Sequence, residues 1–322
     1  MTATPAGAGT DLVQPFLIGA GAIRGRVIRL GPAIDRILAG HDYPAPVATL
    51  LAETLALAAV LAASLKYDGV FTLQVQAEGA VPLLVADATS EGALRGYARF
   101  DADRLAQVQA QVQAQGQAQS QGLARDGGSV PRLLGKGYLA FTVDQGADTD
   151  RYQGIVELSG NSLADCARGY FEQSEQLQTD VMLAVAPPAG TSGWRAGALM
   201  IQRMPLTAQS PILTADLADE TWNRACILMG STRTPELLGP EIDSITLLHR
   251  LFHADGLQLL PPKPLVAACR CSASRVEGTL RSFPRSEVEE MRDDGGDIVV
   301  VCEFCKSRYV FSDQDLDRLY PA

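Results

Sequence analysis

Two cysteine motifs near the C-terminus decide how the last part of the chain folds: CRC at residues 269–271 and CEFC at residues 302–305. Four thiolates suit tetrahedral Zn²⁺ and leave no open coordination position. The residues between the motifs are too few to bury a sizeable core, and modules this small usually need a metal or a disulfide. The motifs therefore predict a small C-terminal domain that binds one Zn²⁺ per chain. Its predicted ligands are Cys269, Cys271, Cys302 and Cys305.

The Cys-x-Cys motif indicates that this site is more than a structural cross-link. A zinc knuckle normally uses Cys-x-x-Cys, and a disulfide across Cys-x-Cys would close a very small, strained ring. Strained disulfides have oxidising potentials and are the labile, regulatory ones. Clustered thiolates are also nucleophiles that react with peroxide-type oxidants. The sequence thus favours a site that senses oxidants, with an inert zinc knuckle as the alternative.

Composition restricts the partners and the cell compartment. The 322 residues are 47% apolar and carry a formal net charge of −10. This charge repels phosphate backbones, so nucleic acid is not an expected partner. Residues 1–11 lack the basic and apolar regions of a signal peptide, and six cysteines without such a signal favour metal or redox chemistry in the cytoplasm. Two of the six, Cys166 and Cys226, stand alone and are expected to be buried small side chains.

Residues 1–205 are predicted to form an α/β core domain. Several of its segments alternate apolar and polar residues, as a strand with one buried face does. A helix is predicted to begin at Ser162, because Asp165 follows it at the spacing of a capping box. The predicted strands are 70–76, 83–86, 94–100, 138–143 and 155–158.

The most apolar stretch of the core domain runs from Val47 to Leu65. Glu53 and several hydroxyl side chains interrupt it, so its continuous apolar part is shorter than the roughly 18 residues of a membrane span. We therefore predict a helix that is buried in the core, and no contact with a membrane.

Residues 107–121 (QVQAQVQAQGQAQSQ) form an uncharged, low-complexity segment between two predicted strands. Together with the Gly-rich residues 125–137, this segment is predicted to be an inserted, mobile loop. Its strict alternation leaves an edge strand as the alternative.

Residues 206–264 are predicted to form a metastable helical linker. Trp222, Ala225 and Met229 repeat at helical spacing, and a second apolar stripe follows them. Both stripes are too narrow to form a core alone, so the linker must lie on another part of the molecule. The Pro-rich residues 261–264 end the helical pattern. The second stripe consists of Ile242, Ile245, Leu248, Leu251 and Phe252.

Residues 265–322 are predicted to be the zinc domain, and the chain as a whole is predicted to have an α+β fold. Strand-like segments at 297–301 and 308–311 flank the CEFC motif and predict a β-hairpin around it. Ser286 with Glu289 predicts a capping box of one short helix, and Ser312 is the predicted cap of another.

The cysteine motifs, their separation and their position resemble the 33-kDa heat-shock family of redox-regulated bacterial chaperones. Other segments similar to this family follow in the same order along the chain, outside the N-terminal tail and the Gln-rich segment. They are HDYPAPV at 41–47, RYQGIV at 151–156 and YFEQSEQL at 170–177.

This resemblance implies an ATP-independent holding chaperone that is not an enzyme. The reduced form is implied to be folded, zinc-bound and inactive. Oxidation is implied to join Cys269 to Cys271 and Cys302 to Cys305, to release zinc and to disorder the linker. The oxidised protein would then form a homodimer that captures unfolding proteins.

A zinc-ribbon adaptor or nucleic-acid-binding module fused to an α/β domain is the alternative function. The acidic charge and the Cys-x-Cys motif both count against it.

Other motifs carry no chemistry. His249 and His253 lie four residues apart but have no third ligand nearby. The segment GAGAIRG at 19–25 does not match a dinucleotide-binding loop and precedes a strand-like segment, not a helix.

Overall fold

The structure is a computed structural model, and it describes residues 10–118, 129–146, 151–205 and 215–320. Within these residues the strands form two six-stranded sheets and a separate hairpin. This mixed architecture confirms the predicted α+β class. The strands are β1 (Leu12–Ile18), β2 (Ile23–Leu30), β3 (Val70–Ala77), β4 (Leu83–Thr89), β5 (Ala93–Arg99), β6 (Gly137–Asp144), β7 (Tyr152–Glu157), β8 (Thr179–Ala186), β9 (Arg195–Arg203), β10 (Gln258–Leu259), β11 (Lys263–Pro264), β12 (Val266–Ala267), β13 (Ile298–Val301) and β14 (Arg308–Phe311). The helices are α1 (Pro32–Leu38), α2 (Ala45–Ala62), α3 (Ala102–Ala118), α4 (Leu163–Tyr170), α5 (Ala215–Gly230), α6 (Thr234–Leu238), α7 (Ser244–Phe252), α8 (Ala273–Leu280), α9 (Arg285–Glu289) and α10 (Asp313–Leu319).

Helix α2 lies between the two large sheets. Sheet A has the order β10–β1–β2–β9–β8, with β11 also paired to β1, and sheet B has the order β12–β5–β4–β3–β6–β7. Because α2 contacts strands of both sheets, 14 of its 18 residues are buried. This helix is long and apolar enough to cross a membrane, but its burial confirms the predicted core helix.

The alternating segments of the sequence are confirmed as strands of sheet B. All five predicted strands of the core domain are present, as β3 to β7. Their buried apolar residues, such as Phe71, Leu73 and Phe141, share one core with α2, and the residues between them lie on the outer face of the sheet. The predicted capping box of Ser162 and Asp165 is also confirmed, at the start of α4.

The loop predicted at residues 107–121 is wrong over the part that the structure describes, because helix α3 continues to Ala118. Asp101 Oδ1 accepts hydrogen bonds of 3.0 Å from two backbone N–H groups of the first turn and so caps this helix. Ala, Gln and Leu are good helix formers, and Leu105 is buried in the core. Helix propensity and burial therefore prevail over the alternation of Gln, which forms no edge strand here. Residues 119–128 lie outside the described residues.

Helices α5, α6 and α7 cover the outer face of sheet A. Their apolar side chains form a second core with residues of that face. Phe252 of α7 stacks on Phe16 of β1 with ring centroids 5.6 Å apart. The prediction that these helices lie on another part of the molecule is therefore confirmed. The predicted apolar stripe is wrong at Ile245, which is 46% exposed, whereas its neighbour Leu247 is 1% exposed and faces the sheet.

After α7 the chain runs along the edges of both large sheets. Strands β10 and β11 pair antiparallel with β1, and β12 pairs parallel with β5. The Pro-rich segment between β10 and β12 is fixed by two further backbone hydrogen bonds. Leu260 N–H donates to Pro15 O (3.0 Å), and Leu265 N–H donates to Asp11 O (2.8 Å). This path delivers the first cysteine motif to the edge of sheet B.

The C-terminal module has a small core of its own around the hairpin β13–β14. The hairpin and the helix cap at Ser312 are confirmed as predicted. The predicted capping box of Ser286 and Glu289 is wrong, because α9 begins at Arg285 directly after Pro284. The buried residues of this core are Leu280, Val288, Ile298, Phe311, Leu316 and Leu319.

Candidate metal centre

The first cysteine pair is positioned by strand β12. Val266 N–H donates to Gly92 O (2.9 Å), and Ala268 N–H donates to Leu94 O (3.0 Å). These bonds hold the chain alongside β5 up to the residue before the CRC motif. The motif therefore begins next to sheet B at a fixed place.

The second pair lies in the turn of the hairpin β13–β14. Cys302 N–H donates to Ser307 O (2.9 Å), and Lys306 N–H donates to Cys302 O (2.8 Å). Lys306 has a left-handed backbone conformation with φ of 57°, which is uncommon for a residue other than glycine and occurs in tight turns. The tight turn places Cys302 and Cys305 on the same side of the hairpin.

The structure brings all four predicted ligand sulfurs together, each within 4.8 Å of the other three. Two of the distances are 3.7 Å, between Cys269 and Cys302, and 3.4 Å, between Cys271 and Cys305. A regular tetrahedron with Zn–S bonds of about 2.3 Å has sulfurs about 3.8 Å apart. The cluster therefore has the size of a four-thiolate metal site. Its compact spacing favours no particular disulfide pairing.

Polar hydroxyl groups contact two of these sulfurs. Tyr309 Oη lies 3.1 Å from Cys271 Sγ, and Ser307 Oγ lies 3.2 Å from Cys305 Sγ. Hydrogen-bond donors behind a metal ligand orient it and stabilise its charge. Sequence analysis did not identify these two residues. The signal that could have done so is their position directly after the CEFC motif, where they are the uncharged hydrogen-bonding side chains of the hairpin.

The thiols differ in acidity. Burial raises the pKa of Cys271 to about 12, although the hydrogen bond from Tyr309 opposes the rise. Burial also acts on Cys305, but hydrogen bonds from Ser307 and from neighbouring thiols outweigh it and lower its pKa to about 6. These hydrogen bonds favour the thiolate form of Cys305, which is the form that binds a metal and acts as a nucleophile.

The remaining cysteines and histidines are not brought together into a site. Within the described ranges, the four C-terminal cysteines are the only group of three or more His, Cys, Asp or Glu side chains close enough to share a metal ion. Cys166 is buried, as expected, whereas Cys226 is only half-buried. His253 Nδ1 lies 2.9 Å from the carbonyl oxygen of His249, so this pair makes a helix-end contact.

The fold and the cysteine cluster can now be compared with known proteins. The family model described as Hsp33 protein matches residues 11–312. This chain belongs to the Hsp33 family. Membership in the Hsp33 family supports a chaperone function and confirms the resemblance found in the sequence motifs. The four-thiol cluster fits the metal site that those motifs predict.

Relatives of this Hsp33 chain match it over nearly its whole length. The 33 kDa chaperonin of Caulobacter vibrioides is 42% identical over 305 residues, which cover 93% of this chain and 94% of the relative. That of Ectopseudomonas mendocina is 37% identical over 314 residues, or 96% of this chain and 95% of the relative. The crystal structure of the 33 kDa chaperonin (heat shock protein 33 homolog) from Thermotoga maritima matches with a TM-score of 0.75. It covers 96% of this chain and 97% of its own at 22% identity, which supports the Hsp33 fold.

Proposed function

We propose that this chain is an ATP-independent holding chaperone that its four-thiol cluster activates under oxidising conditions. The observation that carries the proposal is the convergence of four cysteine sulfurs within 4.8 Å of one another. In the reduced protein these thiolates bind one Zn²⁺, and the chaperone is inactive. The bound ion supplies a cross-link between the two ends of the C-terminal module.

Oxidation removes the metal-binding donor set. Each disulfide forms when two thiolates lose two electrons to an oxidant such as peroxide, and the bonded sulfurs no longer hold the metal. We assign the bonds to Cys269 with Cys271 and to Cys302 with Cys305. The family resemblance supports this pairing, and the compact cluster is compatible with it.

Loss of the metal removes most of the stability of residues 265–322. The module has only six buried apolar residues in its own core. Structural zinc contributes about 10–16 kcal/mol of apparent binding free energy to small modules, and there the binding energy is folding energy. A whole domain is typically stable by about 5–15 kcal/mol, so the module unfolds without its metal.

The linker, residues 206–264, loses order next and exposes the client-binding surface. Its described helices form a core only together with the outer face of sheet A. When they detach, they uncover buried side chains such as Phe16, Val27 and Ile201. A contiguous apolar surface of this kind binds unfolding proteins. The activated chaperone is proposed to be a cytoplasmic homodimer that acts on unfolded proteins without catalysing a reaction, and not on nucleic acid or membranes.

Aggregation of a chemically denatured test protein, followed by light scattering without ATP, tests this function. We expect the reduced, metal-loaded chain to leave aggregation unchanged and the peroxide-treated chain to suppress it. Subsequent reduction in the presence of Zn²⁺ should abolish the suppression. Equal activity of the reduced and oxidised chains would refute the redox switch.

Peptide mapping after mild oxidation tests the disulfide assignment separately. We expect links within each cysteine motif, with Cys166 and Cys226 still reduced. Dominant links between Cys269 and Cys302, or between Cys271 and Cys305, would contradict the assignment.

A further inference from the structure

A buried carboxylate lies on the outer face of sheet B, beside the metal centre. The Asp87 side chain is only 4% exposed. Thr72 Oγ1 donates to its Oδ1 (2.7 Å), and Arg95 donates to its Oδ2 through Nε (2.8 Å) and Nη2 (2.7 Å). Thr72, Asp87 and Arg95 occupy one row across β3, β4 and β5. The core domain by itself therefore provides partners for this buried charge.

The CRC motif supplies a further partner to the same oxygen. Arg270, between the two cysteines of the motif, donates through Nη2 to Asp87 Oδ2 at 2.6 Å. Its Nε is buried without a hydrogen-bond partner among the described atoms, so Asp87 holds this guanidinium through one nitrogen. If Arg270 leaves, Asp87 keeps Thr72 and Arg95. The contact can therefore open without leaving an unpaired buried charge in the core domain.

The CEFC motif contacts sheet B beside the same carboxylate, through Phe304. The Arg95 guanidinium that Asp87 orients lies 3.8 Å from the ring centroid of Phe304, between the two cysteines of that motif. Tyr97, next but one along β5, contacts the Phe304 ring edge-on with centroids 4.8 Å apart. His41 Nε2 lies 3.1 Å from the Phe304 carbonyl oxygen. Cation–π and aromatic contacts of this kind contribute most where water is excluded.

We infer that Asp87 is the docking residue of the redox switch, because it holds Arg270 directly and Phe304 through Arg95. One residue between the cysteines of each motif, Arg270 in CRC and Phe304 in CEFC, thus links the cysteine cluster to sheet B. With the four sulfurs within 4.8 Å of one another, Arg270 contacts Asp87 and Phe304 contacts Arg95 at the same time. When the sulfurs are released, the two contacts are no longer made together and the module undocks. This last step rests on the proposed function, but the docking contact itself belongs to the reduced protein.

Hydrogen exchange of the reduced, metal-loaded full chain tests the docking contact without oxidant or client. The backbone N–H groups of Val266 and Ala268 donate to Gly92 O and Leu94 O and so hold the chain at β12 against sheet B. In Arg270→Ala we expect these two amides to exchange about tenfold faster, because local opening of this edge becomes easier. The hairpin amide of Cys302 should keep its protection, and the metal content should remain one per chain. Arg270→Lys, which can keep the single contact, should behave as the unchanged protein. The control Arg308→Ala removes an exposed arginine of the same module, whose Nη2 lies 3.8 Å from Asp293, and should have no effect at β12.

Coupling between the two partners completes the test. Asp87→Asn should accelerate exchange at β12 at least as much as Arg270→Ala does, because it also loosens Arg95, and adding Arg270→Ala to it should cause no further acceleration. Unchanged exchange at β12 in Arg270→Ala would overturn the inference, and so would strictly additive effects. Arg270→Ala lies outside the core domain, so it decides the question even where Asp87→Asn does not fold. A failure of the oxidised chain to suppress aggregation would refute the proposed function and leave this result standing.

Discussion

The core domain and the C-terminal module are stabilised in opposite ways. In the core domain, α2 is enclosed by two sheets, and its apolar side chains are buried on nearly every side. In the module, six buried apolar residues lie beside four sulfurs that are close enough to share one metal. Apolar burial does not depend on redox conditions, whereas thiolate ligands are lost on oxidation. On the proposed mechanism, the oxidant-sensitive part of the stability therefore lies in the module.

The linker helices are intermediate between these two regions. They are apolar on one side, and they pack only on the outer face of sheet A. β9 runs beneath them and is buried on both faces over seven consecutive residues, 196–202. The same strand is therefore a permanent part of the core on one face and a covered surface on the other. On the proposed mechanism, this arrangement would let the linker detach while the core domain remains folded.

Removal of one metal ligand should have the largest effect. In Cys302→Ser we expect loss of the metal and of hydrogen-exchange protection throughout residues 273–319. The reason is that a structural metal contributes about 10–16 kcal/mol of binding free energy to a small module. The core strands β3, β4 and β6 should keep their protection. Cys226→Ser is the matched control, because it changes a half-buried cysteine outside the cluster. A protected hairpin in metal-free Cys302→Ser would show that the module does not depend on the metal.

Arg29→Met should have the next largest effect, because Arg29 is the polar anchor of the linker on sheet A. Arg29 is 3% exposed and donates to the carbonyl oxygens of Leu237 (2.8 Å), Ile242 (2.6 Å) and Glu236 (2.7 Å). Each unsatisfied buried carbonyl costs about 1–3 kcal/mol, so the loss of a partner by three of them should weaken linker docking by about 3–9 kcal/mol. Exchange of the α6 and α7 amides measures this loss.

The control for this change is Arg233→Ala, which removes an exposed arginine of the same linker. Its ion pair with Glu236 is at the surface, where solvent screens it, so linker docking should hardly change. On the proposed mechanism, Arg29→Met should also suppress aggregation before any oxidation, whereas Arg233→Ala should not. Wild-type protection of α6 and α7 in Arg29→Met would contradict the anchoring role.

The two faces of α7 provide a smaller, matched comparison. Leu248 is fully buried in the linker core, whereas Ile245 is 46% exposed. Leu248→Ala should destabilise linker docking by about 2–5 kcal/mol because it leaves a cavity. Ile245→Ala should cost about 0.5 kcal/mol or less. Urea unfolding of the reduced, metal-loaded chain measures both, and equal losses would mean that α7 does not pack as described.

The smallest expected effect concerns pH and lies in the core domain. Burial in α2 raises the pKa of Glu53 from 4.5 to about 7, although the hydrogen bond from Ser129 opposes the rise. The folded state therefore binds this proton more tightly than the unfolded state, and stability falls as the pH rises from about 4.5 to about 7. Glu53→Gln should remove about 1–3 kcal/mol of this loss. Urea unfolding of both variants at pH 5 and pH 8 measures this difference, with Glu172→Gln as the control because Glu172 is exposed. An unchanged pH dependence of stability in Glu53→Gln would contradict the prediction.

The four-cysteine cluster could be predicted from sequence because each cysteine motif is local and its chemistry depends little on the rest of the fold. The strands of sheet B could be predicted because only one of their faces is buried. The strand β9 was not predicted, because burial on both faces removes the alternation that marks a strand. The contact of Asp87 with Arg270 joins residues 183 positions apart, and no local pattern records it.

The errors over α3 and α7 have related physical causes. The low-complexity composition of residues 107–121 predicted a loop, whereas helix propensity and the cap that Asp101 provides at the start of α3 produce a helix. At α7 the helical period was correct, but the phase was wrong, because the buried face is set by the position of sheet A and not by the helix alone. Leu247 therefore faces the sheet where Ile245 was expected.

The position of α2 between the sheets also has a consequence for the synthesis of the protein. Sheet A takes β1 and β2 from before α2, but β9, which lies beside β2 and contacts α2, ends only at Arg203. Ribosomes add about 5–20 residues per second, so on the order of ten seconds pass between the synthesis of α2 and the completion of β9. During that interval α2 lacks β9, one of the strands that cover it in the folded protein. A protein with the proposed holding function would thus itself pass through a stage in which its most apolar helix lacks its partners.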